Sequence, residues 1–360
     1  MKGSHSIAPT DGAAGHSAAL DSQDPEPSAN SSPEENVAAN PRKNFFKPIK
    51  GELSQRQKNL IEDSLEIEQE DARKIGAMGY MTRMLVQATL PHKDPKLPLG
   101  QLYSRNTGKL LMTVATTSPK HGIPYGSIPR LIMAWLCTEV VLNKDRILLD
   151  RTISLGNTQS DFLEKLQMHN NGHDIRRFKD QCLRLFKSVI SVEYTDDGHG
   201  DLSKRLLISD QSNVFWQPIK ANQRSLWEST LDLSEGFCKD VIDAPVPIDM
   251  RVYHSLRKAP MAMDIYAWFT YRMFVLRRSG KPFVLIPWMG LKAQIGAGYG
   301  NDRQGLYDFK ANFIKRLREV LAFYPAARDA VKDEKKSECL KLLPCALHIA
   351  HRKTSSKLVK

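Results

Sequence analysis

The feature that most limits what this chain can fold into is an order of elements that occurs twice. The first block opens on a strand-like run at 109–117 and a loop containing Pro119, Gly122, Pro124 and Gly126. Ser127 is placed to cap a helix whose first turn accommodates Pro129. On that helix Leu131, Trp135, Thr138 and Leu142 share a face that Ile132, Leu136 and Val140 widen, so it is expected to be largely buried. A short strand at 151–155 follows. Thr158 or Ser160 caps a second helix ending near Met168, Asn170-Asn171-Gly172 makes a turn, and a third helix runs over about 174–188. Alternating residues 189–194, a tip at 196–200 and a strand at 205–209 make a hairpin. After Leu233 the order recurs. A helix at 262–277 and a strand at 283–286 lead to a short helix at 288–295. A turn with Gly296, Gly298 and Gly300, a long helix at 304–323 and an alternating tail at 339–351 complete it.

Helix, strand, helix, turn, helix, hairpin is the order of a winged helix, whose third helix enters the major groove. The expected fold is therefore α+β, with two tandem winged-helix domains at 98–230 and 231–353. A helical segment at 46–97 precedes them, with strong helix formers over 54–88. Leu53, Leu60 and Ile67 lie seven apart, but the positions between are polar, which favours a packed or linking helix over a coiled coil. Pro91, Pro95 and Pro98 mark a boundary. Residues 1–45 form an acidic tail, without an aromatic residue before Phe45, and are expected to be disordered. A short basic tail, 354–360, ends the chain.

The 360 residues carry a formal charge of +12, unevenly spread. Residues 1–42 have a net charge of −4, residues 43–233 of +5 and residues 234–360 of +11. A basic field gathers polyanions, and nucleic acid is the commonest of these. The apolar run at 131–138 lies between Arg130 and Glu139 and falls far short of the ~18 residues a membrane span needs. Lys2 leads into Ser, His, Gly and Asp, so no secretion signal is expected, and five widely spread cysteines fit a reducing cytoplasm.

Both third helices divide into an apolar and a basic face. At 100° per residue, Leu306, Phe309, Phe313, Leu317 and Val320 fall together as a core side. Asp308, Ala311, Asn312, Lys315 and Arg318 lie opposite, with Lys310 and Arg316 on the flanks and Asn301, Arg303 and Gln304 at the approach. The earlier helix turns Ile175, Phe178, Cys182 and Leu185 inward. Arg176, Arg177, Asp180, Arg184 and Lys187 face out, and Lys204 and Arg205 stand on the wing. Arg, Lys, Asn and Gln read bases, and Lys and Arg hold phosphates. The expected duplex-DNA contacts are accordingly Asn301, Arg303, Gln304, Asp308, Asn312, Lys315, Arg316 and Arg318 in the second block. In the first they are Arg176, Arg177, Arg184, Lys187, Lys204 and Arg205.

The stretches at 294–299, 308–310 and 317–325 resemble plasmid replication initiators of the RepA C-terminal family, and 128–136 and 155–162 resemble that family's first block. The resemblance runs over about 55–352. It implies binding to repeated origin sequences (iterons) by both domains, opening of an adjacent A+T-rich region, and recruitment of the host initiator and helicase. It also implies dimers that repress the initiator's own gene. Asn170-Asn171-Gly172 departs from the adjacent glycines the family tends to place there.

Other chemistries fit less well. Gly296-Ala297-Gly298-Tyr299-Gly300 lacks the lysine of a phosphate loop, and its glycines are expected to serve positive φ. Cys339, Cys345, His348 and His351 do not have the spacing of a structural zinc site. His348 and His351, three apart on a strand, point to opposite faces, unlike the paired histidines of a nicking enzyme. No catalytic residue, cofactor or metal is therefore expected. The alternative is a winged-helix transcriptional regulator without initiator activity.

Overall fold

The computed structural model describes residues 52–106, 110–168, 172–196, 200–214, 229–296 and 298–349, with backbone alone for 110, 173, 194–196 and 200–206. The acidic tail, Asn170 and Asn171, the middle of the hairpin tip, His351 and the basic tail lie outside these residues, as do the side chains of Lys204 and Arg205.

The chain begins with α1 (Gln55–Glu68), fixed at its start by a reciprocal cap in which Gln57 N–H donates to Ser54 Oγ and Ser54 N–H to Gln57 Oε1. The helix expected to reach residue 88 stops well short of it. Gly76 takes a positive φ of 72°, and the chain continues as β1 (Met78–Thr82) and α2 (Arg83–Gln87). The first block follows as β2 (Tyr103–Asn106), β3 (Leu110–Thr116), α3 (Ser127–Leu142), α4 (Lys144–Leu149), β4 (Thr152–Gly156), α5 (Gln159–Lys165) and α6 (Gly172–Phe186). It closes with β5 (Ser188–Asp196), β6 (Gly200–Leu207), β7 (Ser209–Asn213) and β8 (Ser229–Leu233). Next come α7 (Glu235–Asp243), β9 (Pro245–Asp249) and α8 (Met250–Ser255). The second block is α9 (Pro260–Arg278), β10 (Val284–Pro287), α10 (Trp288–Ile295), α11 (Arg303–Ala322), β11 (Val331–Glu334) and β12 (Cys339–Leu342).

The fold is mixed helix and sheet, and among the described residues every strand pair is antiparallel. In the second block the strand between helices joins the terminal hairpin, in the order β10-β12-β11. The first block is built differently. There β4 pairs with β8 in the sheet β4-β8-β7, while the hairpin β5–β6 is widened by β3 and β2 into a sheet of its own. Of the two candidate caps of α5, Thr158 and Ser160, it is Thr158 that caps, in a reciprocal box with Asp161. The cap of α3 is not Ser127, whose hydroxyl donates to the Arg257 carbonyl, but Gly126 at φ 80°. Leu142, expected on the buried face of α3, is 63% exposed, because the helix ends at Asn143.

The two blocks share one apolar interior. The ribbon β1–β9 joins residues far apart in sequence, with Tyr80 opposite Pro247, and Tyr80 N–H donates to Thr138 Oγ1 on α3. The first helices of the two blocks, α3 and α9, meet through a buried ion pair. Arg130 Nε and Nη2 donate to the two oxygens of Asp264, each at 2.7 Å, and its other N–H groups reach the Leu90 and Gly126 carbonyls at 2.6 Å. His92 Nε2 lies 2.7 Å from the same carboxylate. Burial pushes the Asp264 carboxyl up, but Arg130 and His92 outweigh it and hold it below the usual carboxylate range. Among the described residues, no helix is long and apolar enough to cross a membrane.

Candidate nucleic-acid interface

The helix α11 is held by α9, α10 and α1 on its apolar side, where Phe309, Phe313, Leu317 and Val320 are buried as the 3.6-residue period requires. Phe313 packs edge-on against Trp268 and Trp288, a rigid aromatic floor. The start of the helix is fixed by Asp302, whose carboxylate accepts from Gly305 N–H at 2.8 Å. Gly296, at φ −98°, and Gly300 are not in the positive-φ region expected of them. Gly296 and Gly300 serve close approach instead, whereas a side chain at Gly298 would meet open space. A side chain at Gly305 would overlap the Gly300 carbonyl, and one at Gly296 would meet the Phe309 ring.

The exposed row of α11 comprises Arg303, Gln304, Tyr307, Asp308, Ala311, Lys315 and Arg318. Five of the residues singled out from the sequence are in it: Arg303, Gln304, Asp308, Lys315 and Arg318. Gln304 Nε2 donates to Asp308 Oδ1 at 2.8 Å, which aligns the two along the row. Three of the expected contacts are engaged in the fold. Asn301 accepts from the buried Lys292 ammonium at 3.1 Å, and Asn312 donates to the Tyr299 hydroxyl. Arg316 pairs with Glu319 at 2.6 Å, and Arg56 of α1 pairs with the same carboxylate at 3.0 Å. These side chains bind α11 to its surroundings and leave the row above to present the charge.

The hairpin β11–β12 stands beside α11. Asp333 on β11 accepts from Lys310 at 2.9 Å and from Trp288 Nε1 at 3.1 Å, tying the hairpin to both helices of the turn. Its tip carries the exposed Lys335 and Lys336, with Lys332 also exposed. Sequence reading missed these lysines and Tyr307, which is 69% exposed. Tyr307 could have been found as a tyrosine off the apolar face of a projected helix, whereas the lysines fell before the tail expected at 339–351, and the structure puts the hairpin at 331–342.

The first block presents less of its third helix. Arg176 and Arg177 near the start of α6 are exposed, and Arg177 lies 3.7 Å from Asp174. Farther along, the loop 118–126 lies over the helix. Arg184, expected to face DNA, pairs with Asp180 at 2.8 Å, reaches the Ile123 carbonyl and packs over the Tyr125 ring. Gln181 Oε1 accepts from Tyr125 N–H at 2.9 Å. Lys187 is half-buried, with its carbonyl taken by Thr117. A basic field persists at this loop, where partial burial and the nearby Lys187, Arg184 and Lys120 push His121 below its usual range. The backbone of Lys204 and Arg205 lies in β6.

Cys345 and His348, weighed above as metal ligands, are engaged in packing. Tyr266 bonds His348 Nδ1 at 2.9 Å, and Cys345 Sγ lies 3.6 Å from Met273 Sδ.

Crystal structures of domains 2 and 3 of RctB, one a selenomethionine derivative, are similar at TM-scores of 0.43 and 0.42 and at 13% and 12% identity. They cover 73% and 74% of this chain and 96% and 98% of their own. No curated protein matches the chain. The resemblance seen at 128–136 and 155–162 falls inside a match to a family model, and the motifs at 294–325 extend beyond it. Over residues 123–289, from the approach to α3 into α10, the chain matches the family described as plasmid-encoded RepA protein.

Proposed function

We propose that the chain is a plasmid replication initiator that binds duplex DNA at repeated origin sequences, with α11 in the major groove and the hairpin β11–β12 as its wing. The observation that carries this reading is the exposed row Arg303, Gln304, Lys315 and Arg318 on a helix whose opposite side is locked into an aromatic core. Such a row combines base-reading and phosphate-holding groups on a rigid element. Each block is a winged helix in this reading, the second supported by the order β10-β12-β11 and the first by its sequence of helices and hairpin. Arg176 and Arg177 contribute phosphate contacts from the first block, so that both heads engage one site. The bound protein opens the origin and recruits the host initiator and helicase, and its dimer represses its own gene in the cytoplasm. It acts by binding and not as an enzyme.

A plasmid carrying only this gene and its cognate origin tests the proposal. Replication in a host that carries no other plasmid initiator, lost on replacing Arg303 and Lys315 with Ala, is the expected outcome. A plasmid that the intact gene cannot maintain, although the protein binds the same DNA, would make the chain a transcriptional regulator. Incubating supercoiled origin DNA with the protein and Mg²⁺ should leave both strands intact; a strand break would make it a nicking enzyme.

A further inference from the structure

A groove of about 830 Å³ opens between the ribbon β1–β9, the C-terminal half of α9 and the segment after β12, and it shares no residue with the exposed row of α11. Its walls include Tyr80, Pro247, Tyr271, Phe274, Leu347 and Ile349. Arg73, Arg83 and Arg278 also line it, against a single carboxylate, Asp243, and both Arg83 and Arg278 are exposed. We propose that this groove receives a peptide segment of a partner protein that presents an aromatic or aliphatic anchor flanked by carboxylates.

Three observations favour that occupant. The volume lies in the range of ligand clefts, roughly 300–1,000 Å³, and the lining is mainly apolar, which suits one or two buried anchor side chains. Three guanidiniums against one carboxylate select for acid groups beside the anchor, since arginine takes carboxylates in paired, charge-assisted hydrogen bonds. Pro245 and Pro247 give β9 no N–H at two of its five positions, so the occupant is held by its side chains more than as an added strand. Single-stranded nucleic acid is the less favoured occupant. It needs a run of exposed rings along a basic track, and here proline and aliphatic side chains fill the intervals between the aromatics.

Panning a phage-displayed random dodecapeptide library on the full chain, with counter-selection on the double variant Arg83→Glu/Arg278→Glu, tests this. The expected result is enrichment of peptides that combine Asp or Glu with Phe, Trp, Tyr or Leu. The most enriched peptide, fluorescein-labelled, should bind the double variant about tenfold or more weakly, the scale of one or two lost charge-assisted bonds. Amidating the carboxylates of that peptide should weaken its binding to the unaltered chain comparably, a result independent of how the variant folds. Binding of origin duplex by the double variant should stay unchanged, which separates this groove from the α11 face. No enrichment, enriched peptides without acidic residues, equal binding by the variant, or displacement of the peptide by a thymidine 15-mer would each overturn the proposal.

Discussion

Arg130 and Asp264 show how single residues decide the architecture. Both are almost wholly buried; Asp264 spends its oxygens on Arg130 and His92, and Arg130 its N–H groups on Asp264 and the carbonyls of residues 90, 91 and 126. A buried pair loses far more when one partner is removed than it contributes whole, because the remaining charge stays desolvated. Asp264→Ala should therefore cost about 3–5 kcal/mol in denaturant unfolding. A loss below ~1 kcal/mol would mean that water reaches Arg130. Position 130 was visible in the sequence only as the charge that interrupts an apolar run, since its partner is 134 residues away. His254 is a second such residue. Burial, helped by Arg257, holds its imidazole down to about 4, and Nδ1 has no partner. Unfolding restores its ordinary pKa of about 6.5, so the unfolded chain takes up the proton first and stability falls as pH drops from about 6.5 towards 4. His254→Gln should shrink the fall in Tm between pH 7 and pH 5; an unchanged fall would assign the acid sensitivity elsewhere.

At the scale of elements, what the sequence revealed depended on range. The two faces of α11, the bounds of α10 and the cap of α5 follow from spacing within a few residues, and all three were legible. The break after α1 was not, because β1 forms by pairing with β9 some 165 positions on. The outward face of α6 was misread for the same reason: projection shows which side of a helix is polar, but not that the loop 118–126 covers it with Tyr125. Asn312 and Arg316 looked like DNA contacts because polarity alone cannot distinguish a group facing solvent from one facing Tyr299 or Glu319. The turn before α11 offers the sharpest element-level test. Gly305→Ala must push the helix start away from the Gly300 backbone. It should weaken duplex binding while removing no charge, and heat-induced unfolding should begin at lower temperature. Full binding with an unchanged melting curve would show that the turn relaxes without moving α11.

Across the whole molecule the two blocks are fused. The shared interior and the Arg130–Asp264 pair cross from one block to the other, and the ribbon β1–β9 ties the segment before the first block to the stretch between the blocks. Cooperative units follow shared cores, so chemical denaturation should give one transition by both tryptophan fluorescence and far-UV circular dichroism. Two separated transitions would mean that the blocks unfold independently. A fused frame also fixes α6 and α11 relative to each other, which suits reading one continuous duplex. The most direct test of the account is the salt dependence of binding to the duplex that flanks the gene, measured for the native chain and for Arg303→Ala/Lys315→Ala. The double variant should bind more weakly, with a log–log salt slope shallower by up to about 2, close to one per lost phosphate contact. Unchanged affinity and slope would contradict the assignment of α11 as the DNA-reading element.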